Sequence, residues 1–326
     1  MTPDSFSRAI NDKRAFSSVE LARIATELDT DVYWLITGQP DPNKLVFAAR
    51  HDYDQESRLH SLPSEVADST VLEDIHVAYR QAFLDDGTPQ SIPATAENVR
   101  ASLGEDFVRP LIERIENKLG VDVIRLPELA TAYSFASAGR LVIAIQATGN
   151  WFRENWGLAH ELAHLAGHRS EPSANAFAAN LLLPERTLRE VEWSAIDPRE
   201  LARFVWDTGI STDALQRRLR KLNIQLPHVI EHALDLPTQA LLRQHWNHDS
   251  LTPDAIAERM ENASARRFPR SLIEAHQEAI AEGRISVAFL AWMLGVGAST
   301  LEVAEPTTDE GDSDKADELA ALLGLI

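Results

Sequence analysis

WGLAHELAHLAGHRSEPSANAFAANLLLPE, residues 156–185, sets three histidines four apart, His160, His164 and His168, with Glu161 directly after the first. The core of the stretch is H-E-x-x-H. On a helix, residues four apart share a face and lie about 6 Å apart along the axis, so two imidazoles can converge on one zinc ion. The intervening glutamate projects beside the metal, where it can take a proton from water. Zinc with such a base supplies a hydroxide-like nucleophile near neutral pH and a Lewis acid for a scissile carbonyl. The segment from Trp156 to Gly167 has no proline and is apolar between its polar positions. It therefore reads as a buried helix, in which two histidines and a glutamate need partners. The competing reading is a surface helix that carries its histidines by chance.

A catalytic zinc takes three protein ligands and keeps a fourth position open. His168 lies eight residues from His160, about 12 Å along a straight helix, which one ion does not span. It is expected to be structural or to orient a ligand. The longer pattern H-E-x-x-H-x-x-G-x-x-H is followed only as far as Gly167, because Ser170 stands where its last histidine would be. Gly167 and Pro172 mark a break and a new helix start. If the chain folds back there, Glu171 in the first turn of the next helix faces the metal and completes a His-His-Glu set. A carboxylate from elsewhere in the chain is the alternative.

The whole chain bounds these readings. Its 326 residues suffice for two or three domains, and 44% hydrophobic with 25% charged residues is ordinary for a globular protein. No apolar run approaches the roughly 20 residues of a membrane span. The N-terminal MTPDSFSRAINDKR lacks the apolar core of a secretory signal, so cytoplasmic residence is the expectation. There is no cysteine, which excludes disulfides, thiolate ligands and a cysteine nucleophile. A net charge of -19 gives no overall attraction to nucleic acid or an anionic membrane. The basic clusters QRRLRK (216–221) and RRFPR (266–270) read as solvated helix faces.

Outward from the histidine stretch, the expected fold is α+β and mostly helical, with helices packed on a small sheet. Residues 1–38 read as helical, clearest in SSVELARIATELD, with Ser17 or Ser18 as cap and Leu21, Ile24, Ala25 and Leu28 as an apolar face. TGQPDPN (37–43) breaks the pattern, 44–70 reads as linker, and 72–86 as a helix. ENVRASLGEDFVRPLIERIENKLG suggests a helix start and then a long amphipathic helix ending at Gly120. Strand-like runs follow at 121–126 and 140–145, and from Trp193 onward everything reads as helix. The expected division is 1–40, 41–94 (a linker with a helix), 95–192 (the histidine unit), 193–304 (helical) and 305–326 (an acidic tail).

HELAHLAGH followed by EPSANAFAANLLLPE resembles the ImmA/IrrE metallopeptidase family, whose A-x-x-F-A-x-x-L-L-x-P segment is matched by Ala174, Phe177, Ala178, Leu181, Leu182 and Pro184. The strand-like LVIAIQ and Trp156 ahead of the motif also look like the family. The resemblance implies a compact gluzincin-like (zincin) peptidase domain with helical regions on either side. It implies Zn2+ as cofactor, His160, His164 and Glu171 as ligands, and Glu161 as general base. SSVELARIATELDTDVYWLITGQPDP resembles the closing part of a Xre-type helix-turn-helix, with Trp34, Leu35 and Gly38 in its ending. The partner so implied is a protein substrate, a Xre-type repressor cleaved to derepress stress or mobile-element genes. DNA binding is expected to be weak and no membrane partner is expected. The competing class is a non-proteolytic transcription regulator, or a toxin–antitoxin component, with a metal-sensing domain of the same build.

Overall fold

The structure is a computed structural model that describes residues 3–11, 13–28, 30, 32–39, 63–83, 87–246 and 253–301. The chain divides into two units, Met1–Val46 and Phe47–Ile326. The acidic tail and the 44–62 part of the expected linker lie outside the described residues.

The first unit holds α1 (Pro3–Ile10), α2 (Ser18–Glu27) and α3 (Val32–Thr37). Ser17 caps α2. Its Oγ accepts from the Glu20 N–H, and the Glu20 carboxylate accepts from the Ser17 N–H, a capping box. Arg14 grips both Glu20 oxygens at 2.8 Å. That pairing, with the Ser17 N–H, pulls the Glu20 carboxyl down to about 2.

In the second unit come α4 (Pro63–Ala82), α5 (Ala96–Leu103), α6 (Leu111–Leu119), β1 (Val121–Leu126), β2 (Tyr133–Ser137) and β3 (Arg140–Gln146). They are followed by α7 (Trp151–Leu165), α8 (Glu171–Leu182), α9 (Glu185–Glu190), α10 (Pro198–Thr208) and α11 (Thr212–Lys221). Then come α12 (His228–Leu234), α13 (Thr238–His245), α14 (Pro253–Asn262), α15 (Arg270–Ala281) and α16 (Ala288–Leu294). The fold is α+β and mostly helical. Among the described residues no helix is long and apolar enough to cross a membrane.

Three local expectations are corrected. Helix α4 begins at Pro63, well before residue 72. Proline is favoured in a helix's first turn, where its missing N–H costs nothing. The long helix expected before Gly120 is two, because Gly104 caps α5 at φ 85° and Pro110 caps α6. The basic clusters are solvated helix faces only in part: Arg217, Arg220 and Lys221 are exposed on α11 and Arg270 on α15, whereas two other arginines are engaged. Arg218 is buried and donates to Leu183 O and Asn180 Oδ1. Arg267 lies on an extended segment and pairs with both oxygens of Glu116.

The sheet has the order β1-β3-β2, with β1 parallel and β2 antiparallel to β3. Every residue of β1 is buried. Its two polar side chains are paired: Asp122 takes Arg140 at 2.6 and 2.8 Å and the Tyr79 hydroxyl at 2.9 Å, and Arg125 takes Glu154 at 2.5 and 2.8 Å. Pairing is required there, since an unpaired buried charge costs several kcal/mol. Arg125 and Arg267 also exchange backbone hydrogen bonds at 2.9 Å, tying the segment before α15 to β1.

β2 and β3 are joined by a two-residue turn, Ala138 at φ 45° and Gly139 at φ 70°. Both central residues thus take the positive φ of a tight hairpin. A Cβ on Gly139 would lie 2.6 Å from Gly87 O, a backbone atom that has no rotamer to yield. Gly139→Ala is therefore expected to cost about 3 kcal/mol, from left-handed strain plus the overlap. Urea unfolding of the variant at an unchanged midpoint would contradict this account of the turn.

One apolar core extends from Ile92 through α5–α8 and α10–α14 to Ala263. The boundary expected at 192–193 falls inside it. α7 runs through this core with Leu158, Ala159, Leu162 and Ala163 fully covered.

Candidate metal centre

α7 is capped by Asn150, whose side chain accepts from the Arg153 N–H. It ends in a Schellman arrangement: His168 N–H reaches Ala163 O at 2.9 Å and Gly167 N–H reaches His164 O at 3.0 Å. Gly167 holds φ 94°, a conformation that glycine takes without penalty. Ser170 then caps α8, with Glu171 and Pro172 opening the helix. The five residues 166–170 thus reverse the chain and bring the start of α8 back beside α7.

The fold-back brings the sequence-predicted residues together. His160 and His164 are 3% and 6% exposed, and Glu161 2%. The two imidazole Nε2 atoms face each other at 3.1 Å. Glu171 Oε2 lies 3.3 Å from His160 Nε2, and Oε1 3.6 Å from His164 Nε2. Glu161 stands with the two histidines as a compact group able to hold a metal ion.

The donor set fits a divalent metal. His160 Nδ1 faces Asn175 Oδ1 at 3.3 Å, and His164 Nδ1 faces the backbone carbonyl of His168 at 2.8 Å. Two acceptors at Nδ1 place the ring hydrogen there, which leaves each neutral ring a lone pair at Nε2. Two such lone pairs and a carboxylate then converge on one point. Glu171 Oε1 is itself buried without a hydrogen-bond donor. Electron-rich atoms gathered this closely, away from solvent, are stabilised by a cation among them.

His168 points elsewhere. Its Nδ1 lies 2.6 Å from Ser173 Oγ, its Nε2 lies 3.0 Å from Ala94 O, and its ring packs 5.0 Å from Phe177. It ties the turn after α7 to the residue preceding the N-cap of α5, while its carbonyl orients His164. Two residues near the site escaped the sequence reading. Asn175 lies four residues after Glu171 and so shares its face of α8, a signal that was available. Ser134 on β2 donates to Glu161 Oε2 at 2.9 Å. No periodicity links it to a residue 27 positions away.

A buried histidine pair, a carboxylate from the following helix and a second carboxylate beside them form a group that could hold a metal ion, on a mostly helical α+β scaffold. Residues 116–220 match the family model of the IrrE N-terminal-like domain, peptidase family M78. The match supports a proteolytic, metallopeptidase-type function for this part of the chain. No curated protein and no solved structure matches the chain.

Proposed function

We propose that the protein is a zinc-dependent endopeptidase acting in the cytoplasm, with His160, His164 and Glu171 holding the ion and Glu161 as general base. The observation that carries this reading is the convergence of two Nε2 lone pairs and the Glu171 carboxylate, with Glu161 beside them. When bound, zinc supplies a Lewis acid for the scissile carbonyl and makes water more acidic. Glu161 accepts the proton from the attacking water and passes it to the leaving amine. Asn175 and the His168 carbonyl hold the ligand rings in orientation, the part that outer hydrogen-bond partners play around metals. The proposed substrate is a Xre-type repressor, on the resemblance of residues 17–42 and 156–185 to a helix-turn-helix ending and the ImmA/IrrE stretch. Incubating the zinc-loaded chain with repressors encoded beside it, with and without chelator, tests the whole reading. Chelator-insensitive cleavage, or intact repressor in both arms, would sink it.

Ser134 is a positioning residue in this scheme, since its hydroxyl fixes one Glu161 oxygen. Ser134→Ala is expected to lower kcat about tenfold, the worth of one hydrogen bond to a charged group at about 1.5 kcal/mol, with zinc content unchanged. Ser134→Thr, which keeps the hydroxyl, should restore the rate. Equal rates for all three proteins would remove Ser134 from the mechanism.

The first unit is proposed to bind DNA weakly. Residues 1–25 carry Arg8, Lys13, Arg14 and Arg23 against Asp4, Asp12 and Glu20, and Arg14 is already engaged by Glu20. Little charge is left for the phosphate contacts that supply most non-specific affinity. Val32, Trp34 and Leu35 are candidate contacts to a repressor, against the alternative that they simply pack onto the local helices; Trp34 is 47% exposed. Tight sequence-specific gel shifts at physiological salt would overturn this and favour the regulator reading.

A further inference from the structure

A large cavity lies apart from the candidate metal site. It encloses about 750 Å³ beside the first turns of α7, between the start of α6, α10 and α14. That volume is in the range of small-molecule sites. Five arginines line it: Arg109, Arg125, Arg259, Arg266 and Arg267. Four are matched by carboxylates, Arg109 by Asp207, Arg125 by Glu154, Arg266 by Glu128 and Arg267 by Glu116. Arg259 is not. Among the described residues no carboxylate lies within ion-pair distance of it. Glu113 and Glu258, the cavity's other acidic residues, are exposed at its rim.

Arg259 is held by two indoles. Its guanidinium carbon lies 4.3 Å from the ring centre of Trp151 and 4.4 Å from that of Trp206, the rings tilted 52° to each other. The indole faces attract the cation and shield one side of it. Burial is the main reason its pKa falls to about 10, and Arg109 adds to it. A planar fork of N–H donors, half-buried and, among the described residues, with no carboxylate at ion-pair distance, is suited to a carboxylate. A second polar group waits on the same wall. Asn155 is 1% exposed, and its Nδ2 donates to Gly209 O at 2.8 Å, while its Oδ1 has no donor. Leu111 and Ile112 add apolar lining.

We propose that this cavity binds a small organic carboxylate carrying an adjacent N–H donor and an apolar side group, that is, an acylated amino acid or the carboxyl end of a peptide. The carboxylate pairs with Arg259, the N–H satisfies Asn155 Oδ1, and the side group packs on the indoles and on Leu111 and Ile112. The inference stands independently of the peptidase reading, since none of its residues belongs to the metal centre.

Calorimetric titration of the full chain tests it with three probes: N-acetyl-leucine, its amide, which lacks the carboxylate, and 4-methylpentanoate, which lacks the N–H. Binding of N-acetyl-leucine at least tenfold tighter than either analogue is expected. Arg259→Met keeps an apolar stem against the indoles and removes the cation, and it should lower that affinity at least tenfold with the unfolding midpoint retained. An N-acetylated tripeptide ending in leucine separates the sources. Tighter binding than N-acetyl-leucine identifies a peptide end, and equal binding identifies the free acylamino acid. Unchanged affinity in Arg259→Met, or no heat from N-acetyl-leucine at millimolar concentration, overturns the proposal.

Discussion

Glu161→Gln is expected to retain zinc and lose proteolysis by 10²–10⁴-fold, the usual contribution of a positioned base, if proton transfer at this residue drives the reaction. The substitution is nearly isosteric and leaves an amide oxygen in reach of Ser134 Oγ, which holds Glu161 Oε2 at 2.9 Å. The packing of α7 does not depend on the carboxylate, because Leu158, Ala159, Leu162 and Ala163 make the helix's buried face. Folding and metal content thus stay as in the parent, and the lost step is the acceptance of a proton. Single-turnover cleavage with metal analysis of the same sample is the measurement. An undiminished rate in the zinc-loaded variant would place the base elsewhere.

His164→Ala is the complementary case, with metal binding as the readout. The substitution removes one of two facing nitrogens and leaves His160 Nε2 and the Glu171 carboxylate 3.3 Å apart without the third donor. Zinc affinity should fall by more than the roughly 10–100-fold that loss of an outer partner costs. The stabilisation of about 2.7 kcal/mol that a ligand confers at 100 times its Kd should vanish from thermal melts at the same zinc concentration. His168→Ala is the contrast, since the backbone carbonyl that meets His164 Nδ1 survives it. That variant is expected to lose stability through Ser173 and Ala94 and to keep its zinc. Full zinc occupancy in His164→Ala would end the metal assignment. Retention only in Glu171→Ala would move the third ligand and leave the rest standing.

The parts legible in the sequence were those with a local cause. Four-residue spacing announced the helix carrying His160 and His164, and Gly167 with Pro172 announced the reversal that returns Glu171 to it. β1 and β3 were visible as short runs rich in valine and isoleucine. β2 was not, because Tyr133–Ser137 is short and mixes serine and alanine among its aromatics. The early start of α4 was hidden by serines, aspartate and threonine, which score poorly as helix formers. The Ser134–Glu161 bond and the cavity around Arg259 join segments far apart in the chain. Their partners are chosen by how helices pack on the sheet, which local pattern does not encode.

The way α7 is fastened has a consequence for how the proposed zinc would come and go. The helix is tied near its beginning by the buried Glu154–Arg125 pair, along its length by the core, and at its end by the Schellman turn. None of these fastenings uses the metal. In small zinc domains binding energy is folding energy, and chelation unfolds the chain. Here the proposed donors sit on a scaffold whose fastenings do not involve the ion, so little conformational entropy would be lost on loading. Amide hydrogens of α7 should exchange with solvent as slowly in the stripped protein as in the loaded one. If the proposed zinc site holds, zinc supply would be a reversible throttle, setting how much of a stable population is competent at any moment.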